Sequence, residues 1–202
     1  AHIAAPLGMV DTSFTPRASW ATRHAGMTAR TPDGGLKPFD MPAPEAPEFH
    51  GGGGGLHGTA HDYLRFLQMI LNGGTLDGAR ILKPETVAAM QANHLGDVAL
   101  RTLTSAAPHL TNNLDLAQGA PAHWGLSWQI NPAPGVDGRS AGSVAWAGLA
   151  NCYYWADPAA HVCAPLPGLS STISSLVWSG QAGRWLAVTP ATLRGEDGAT
   201  RS

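Results

Sequence analysis

The chain has 202 residues, which is enough for one domain with its own hydrophobic core. Charged residues make up 13% and the net charge is −2, which excludes the polybasic surface of a nucleic-acid-binding protein. The hydrophobic content of 44% and the seven tryptophans argue against disorder, and no apolar run is long enough to span a bilayer. Cys152 and Cys163 are too few for a disulfide framework, so the compartment, cytoplasmic or periplasmic, stays open.

A long loop is predicted in the first part of the chain. Residues 1–3 are typical of the interior of a helix. Residues 28–55 contain five prolines and end in five glycines, so we expect a long structureless loop here. The glycines at 51–55 lack the Lys-Ser/Thr ending of a phosphate loop and are expected to let the backbone turn tightly.

A helix with a clear start and stop is predicted over residues 59–72. Thr59 is placed to cap it, and Asn72-Gly73-Gly74 ends it. Apolar side chains recur at three- and four-residue steps and predict an inward face made of Tyr63, Phe66, Leu67, Ile70 and Leu71.

Short elements follow this helix. Asp77-Gly78 predicts a tight turn between two short apolar segments. Pro84 suits the first turn of a second helix, which should continue to Asn93-His94. Residues 104–122 and 131–142 are expected to be loops.

The last third of the chain favours β-structure. Strands are predicted over 124–130, 144–146, 152–155, 161–164 and 173–178. Asp157-Pro158 indicates a turn that would set Cys152 opposite Cys163 across a hairpin, as reduced neighbours rather than a disulfide. Residues 189–202 are polar and are expected to form a flexible tail.

Four sequence blocks occur in an order that is more specific than any one of them. They read PLGMVDT at 6–12, GGGGGLHGTAHDYLRFLQMILNGG at 51–74, LDGARIL at 76–82 and SVAWAGLANCYYWADP at 143–158. This succession, over roughly residues 3–163, resembles the serine hydrolases of the class C β-lactamase and family-eight carboxylesterase type. The resemblance implies an α+β fold, an antiparallel sheet flanked by helices, with residues 1–188 as the C-terminal part of such a domain.

The same resemblance points to a substrate site at Trp146-Ala147-Gly148. This tripeptide takes the place of the family's WGG motif, the counterpart of KTG in β-lactamases. The Leu149 N–H would then be one donor of an oxyanion hole, and Trp146 would form a wall of the acyl pocket. The alternative is that Trp146 is a core aromatic residue. Ala147 and Asn151 both replace a glycine of the family pattern, so the geometry of the hole stays open.

The family nucleophile, Ser in Ser-x-x-Lys, is absent from the sequence. The two lysines are Lys37 and Lys83, and Gly34 and Arg80 stand three residues before them. The family's tyrosine motif is also missing. We therefore expect no catalytic residue in this chain and no activity from it alone, the nucleophile belonging to an N-terminal half of the domain. The alternative is a non-catalytic binding module or truncated pseudoenzyme.

The implied reaction is transfer of an acyl group from a small-molecule ester or amide to water through an acyl-serine. Trp146 in place of a lysine favours esters over β-lactams. We expect no cofactor and, given the low charge, no nucleic-acid partner. We also expect no metal, because His57 and His61 flank the helix cap and do not share one helical face. Gly138-Arg139-Ser140-Ala141-Gly142 matches a nucleophile elbow, but proline-rich loop precedes it and a strand follows it.

Overall fold

A computed structural model of the chain describes residues 2–39, 48–98, 100, 102–108, 112–116, 122–135, 138–148, 152–166, 175–179 and 184–188. These residues form a 3₁₀-helix (Ala18–Arg23), two α-helices and eleven strands. The helices are α1 (Ala60–Leu71) and α2 (Pro84–Met90). The strands are β1 (Met27–Arg30), β2 (Leu36–Phe39), β3 (Thr75–Leu76), β4 (Ala79–Arg80), β5 (His123–Trp124), β6 (Gln129–Ile130), β7 (Val144–Gly148), β8 (Cys152–Asp157), β9 (Val162–Leu166), β10 (Ser175–Ser179) and β11 (Arg184–Val188).

Helix α1 confirms the predicted helix and its caps. The Thr59 hydroxyl accepts from the Asp62 N–H, and the helix ends in a Schellman arrangement. In that arrangement the Gly73 N–H donates to the Ile70 carbonyl (3.1 Å) and the Gly74 N–H to the Met69 carbonyl (2.8 Å).

The residues predicted for the inward face of α1 do face the core, but the prediction leaves out other buried residues of the helix. Leu67 and Ile70 are buried, and Tyr63, Phe66 and Leu71 pack half-buried against the core. Leu64 and Met69 are buried as well, because α1 packs against β8 and β9 on one side and against the β3–β4 hairpin on another.

The buried carboxylate of Asp62 hydrogen-bonds α1 to residues 11 and 12, about fifty residues earlier in the chain. Asp62 Oδ2 accepts from the Asp11 N–H (2.7 Å) and from the Thr12 hydroxyl (2.8 Å). Arg65 donates to the Leu7 carbonyl and pairs with Asp77 (2.6 Å) in the turn between β3 and β4. The first three of the sequence blocks noted above therefore meet at one place in the fold.

Strands β5 to β11 form one antiparallel sheet in which each strand pairs with the next along the chain. One row of side chains crosses three central strands: Val144 faces Ala156, which faces Cys163, and all three are fully buried. This row packs against α1 and forms the core together with Leu7 and Trp128. No helix in the described part of the chain is long and apolar enough to cross a membrane.

Three expectations about elements are wrong. Residues 28–55 are not all loop, because β1 and β2 pair as a hairpin whose turn holds Gly34 at φ +84°. Residues 124–130 are not one strand, since β5 turns back into β6 through Ser127 at φ +87°. Helix α2 ends at Met90 instead of reaching Asn93-His94. Residues 189–202 lie outside the described residues.

The predicted hairpin around Asp157-Pro158 exists, but its register is shifted. Cys163 pairs with Ala156 and not with Cys152. The loop takes four residues, 158–161, with His161 at φ +55°, whereas the prediction assumed a tighter turn. Cys152 lies four residue steps before Ala156 on β8, a distance of roughly 13 Å along the strand. The structure has no disulfide between them, and Cys152 is exposed whereas Cys163 is buried.

Candidate functional site

Strand β7 extends past its neighbour β6 at the predicted substrate motif. Strand β6 pairs only with Val144 and Ala145 of β7. Beyond that point the pairing described for β7 runs along β8 alone, with Trp146 opposite Tyr154 and Gly148 opposite Cys152. Residues 146–148 therefore lie along a free stretch of the strand's edge within the described structure.

The register also fixes which backbone groups of β7 face that edge. The Asn131 N–H donates to the Ser143 carbonyl (2.9 Å), which marks this pair as a hydrogen-bonded position of the β6–β7 ladder. Hydrogen-bonded positions alternate along an antiparallel pair. Ala145 therefore bonds to Gln129, and the N–H and C=O of Ala147 point to the same side, past the end of β6. Leu149, the predicted oxyanion donor, lies outside the described residues, so its role stays a prediction.

The side chains of this stretch leave room above the strand. Trp146 is half-buried and Gly148 is exposed, and both lie on the face of the sheet that carries Val144. A Cβ added at Gly148 would meet nothing nearer than Cys152, at 4.0 Å. The fold itself therefore does not require glycine at this position.

Two pairs of aromatic rings lie between this edge and helix α1. Trp124 and Trp146 meet edge to face, with ring centroids 4.5 Å apart and planes at 82°. Tyr154, opposite Trp146 on β8, contacts Tyr63 of α1 at 4.9 Å. The sequence analysis missed both Tyr154 and Trp124. The strand register places Tyr154 opposite Trp146. The register aligns Trp124 with Gln129 and Ala145, and it is the ring contact that brings Trp124 to Trp146.

The two tyrosines are poor candidates for a general base. Burial raises the pKa of Tyr63 far above its ordinary value, and the adjacent Tyr154 raises it further. Burial also raises the pKa of Tyr154, against a smaller opposing effect of the Tyr63 hydroxyl. Both phenols stay protonated near neutral pH, as expected for groups that pack in the core.

The sequence match to a nucleophile elbow is a structural turn. The Ser140 N–H donates to Asp157 Oδ2 (2.8 Å), and the Ser143 hydroxyl donates to the Ser140 carbonyl (2.7 Å). Strand β7 follows directly, where an elbow requires a helix. Ser140 therefore lies in a loop that Asp157 holds against the β8–β9 hairpin.

His57 and His61, on either side of the start of α1, do not lie on its helical surface as a pair. His57 stacks on His24, with centroids 5.2 Å apart, and bridges Ser13 through two backbone hydrogen bonds. Burial and the neighbouring His24 lower the pKa of His57, so its imidazole is neutral at pH 7. His61 is exposed at the start of α1, beside Asp62.

Comparison with known proteins gives the family. The beta-lactamase family model matches residues 1–173. The chain belongs to the beta-lactamase family. Protein Rv1367c of Mycobacterium tuberculosis (strain ATCC 25618 / H37Rv) is 34% identical over 166 residues, which is 80% of this chain and 40% of that protein. The acyltransferase calJ of Penicillium decumbens is 31% identical over 140 residues, 66% of this chain and 32% of that protein.

Solved structures agree on the fold. Simvastatin synthase (LovD) from Aspergillus terreus superposes with a TM-score of 0.60 at 25% identity, over 84% of this chain and 43% of that one. A penicillin-binding protein homologue from Caulobacter crescentus gives 0.52 at 20% identity, over 82% and 44%. The predicted α+β fold of the β-lactamase/transpeptidase type is thus confirmed. The chain spans 32–44% of the length of these relatives.

Proposed function

We propose that this chain supplies the oxyanion strand and the acyl-pocket wall of a serine acyl-transfer enzyme that hydrolyses a small ester or amide. The observation that carries the proposal is the edge of β7 beyond β6, where Ala147 presents its backbone groups and Gly148 leaves space. An extended strand edge with free N–H groups can stabilise the charge that develops on a reacting carbonyl oxygen. The Leu149 N–H would be the donor that contacts it.

One feature supports acyl transfer, and a second supports an ester as the substrate. The relatives include a protein named as an acyltransferase and a structure named as a synthase of simvastatin. Trp146 stands where a lysine would face a β-lactam carboxylate, and this favours a neutral ester as the substrate. Hydrolysis, rather than transfer to another acceptor, remains part of the proposal.

The sequence also supports a second candidate, a binding module without catalysis. Neither Lys37 nor Lys83 follows a serine at the Ser-x-x-Lys spacing, so the 202 residues carry no nucleophile of the family type. In this case the β7 edge would bind an ester without turnover.

One assay separates the two candidates. The 202-residue chain and the product of the longest reading frame that contains it are mixed with 4-nitrophenyl butyrate. We expect a stoichiometric burst of nitrophenol from the longer product and none from the 202 residues. A burst from the 202-residue chain would overturn the proposal that it lacks a nucleophile. A longer product with Ser-x-x-Lys that shows no burst would favour the binding module.

A further inference from the structure

We infer that Trp124 is a specificity-determining residue that forms, with Trp146, an uncharged aromatic wall for a neutral apolar acyl chain longer than acetyl. This inference rests on the proposed function for the position of the substrate, but the wall itself is defined by the contacts described above. We call this feature the Trp124–Trp146 wall.

The wall differs from a core tryptophan pair in its exposure. Trp128, four residues after Trp124, is 1% exposed and its indole N–H donates to the Met90 carbonyl (2.8 Å). Trp124 and Trp146 are only half-buried, and the turn after Trp124 exposes 47% of Leu126. An apolar ligand can therefore still cover part of both rings.

Trp124 is held in place by the end of helix α2. The His94 N–H donates to the Trp124 carbonyl (2.8 Å), and the Leu126 N–H donates to the Met90 carbonyl (3.0 Å). Gly125 fits between them because a Cβ there would lie 2.1 Å from the Met90 oxygen. The indole of Trp124 thus projects from a fixed backbone, which lowers the entropy lost when a ligand packs against it.

The charge pattern limits the acyl group to neutral chains. Residues 122–130, 144–148 and 152–156 contain no Asp, Glu, Lys or Arg. A carboxylate carried by the acyl group would lose its hydration beside the rings and would gain no ion pair with a lysine or arginine of these segments, which is unfavourable. Methylene groups gain affinity in the same place, because each one removes apolar surface from water.

The test uses indole N–H signals of the 202-residue chain in ¹⁵N-labelled form, assigned by Trp→Phe variants. Phenyl butyrate and phenyl acetate form a matched pair that differs by two methylenes, and benzylpenicillin is the anionic comparison. We expect saturable shifts of the Trp124 and Trp146 signals, with Trp128 and Trp20 unmoved. Butyrate should bind about five- to fifteen-fold more tightly than acetate, because two methylenes are covered. Benzylpenicillin should cause no saturable shift.

Trp124→Ala should abolish the preference for butyrate over acetate, and Trp124→Phe should keep part of it. Thermal unfolding of each variant serves as the fold control. Equal affinities for both esters, or equal shifts of all seven indoles, would overturn the inference. If the product of the longest reading frame shows no nitrophenol burst but the indole shifts remain, the catalytic proposal fails and the Trp124–Trp146 wall stands. If the burst occurs and Trp124→Ala leaves the butyrate-to-acetate ratio unchanged, the wall alone is wrong.

Discussion

The two glycines that end helix α1 should differ sharply in their tolerance of alanine. Gly73 has φ +63°, and a Cβ there meets nothing within 4 Å. Gly74 has φ +94°, and its Cβ would lie 2.2 Å from the Leu82 carbonyl oxygen, which belongs to rigid backbone. Gly73→Ala should therefore cost only the left-handed strain of an L-residue, about 1 kcal/mol.

Gly74→Ala has a further cost, because the new Cβ would push the backbone at residue 74 away from the backbone at Leu82. The Gly74 carbonyl accepts from the N–H groups of Ile81 (2.9 Å) and Leu82 (3.2 Å). Each backbone hydrogen bond contributes about 1 kcal/mol, so the loss of both brings the total to about 3 kcal/mol. Urea unfolding of the chain and of the two variants, followed by circular dichroism, gives the differences in free energy of unfolding. Equal losses for the two variants would refute the clash with Leu82.

Three further predictions concern the core and its ionisable groups. Leu67→Ala should lower the free energy of unfolding by about 2–5 kcal/mol, because Leu67 is fully buried; a loss below 1 kcal/mol in urea would contradict this. Burial would raise the pKa of Asp157, but hydrogen bonds from the Ala160 N–H, from the N–H and hydroxyl of Ser140 and from the Ala159 N–H together outweigh it and lower the pKa. The carboxylate therefore stabilises the fold above its unfolded pKa, and this contribution is lost as pH falls through the folded pKa. Asp157→Asn should thus cost about 1–3 kcal/mol at pH 7, and the cost should decrease as pH falls below the unfolded pKa; a pH-independent cost would contradict the linkage. Burial raises the pKa of the Cys163 thiol to about 12, so a disulfide reagent should label Cys152 in the folded chain and Cys163 only after unfolding; rapid labelling of both would be inconsistent with the described core.

Local sequence signals were sufficient for α1 and for the β3–β4 turn. The helix has a cap, an apolar face and a glycine stop within sixteen residues, so nothing distant is needed to specify it. Asp77 and Gly78 both adopt positive φ, at 47° and 80°, as the Asp-Gly pair predicts.

The errors arose where tertiary contacts decide the structure. The alternation over residues 124–130 favours one strand, but the Met90 carbonyl at the end of α2 accepts from Leu126 and Trp128 and holds the segment as a turn. The register of the β8–β9 hairpin depends on the burial of Cys163 beside Ala156, which the Asp-Pro turn signal does not reveal.

The candidate site was only partly accessible to sequence reasoning. The position of Trp146-Ala147-Gly148 on a strand followed from its resemblance to a known motif. Its place beyond the end of β6 depends on the β5–β6 turn, and the contact between Trp124 and Trp146 depends on the same turn. Neither relation has a signal at short range in the sequence.

The most direct test of the proposed role of the β7 edge is a comparison of two glycine substitutions in the product of the longest reading frame. Gly148→Val adds atoms where substrate would approach, and a Cβ there touches only Cys152, at 4.0 Å. Gly26→Val adds them where a Cβ meets nothing within 4 Å, far along the chain from β7. We predict that Gly148→Val lowers kcat/KM for 4-nitrophenyl butyrate by about 10²-fold or more with an unchanged Tm, in line with the loss of an oxyanion contact. Gly26→Val should change neither quantity. An unchanged kcat/KM for Gly148→Val would contradict the assignment of this edge as the acyl-binding site.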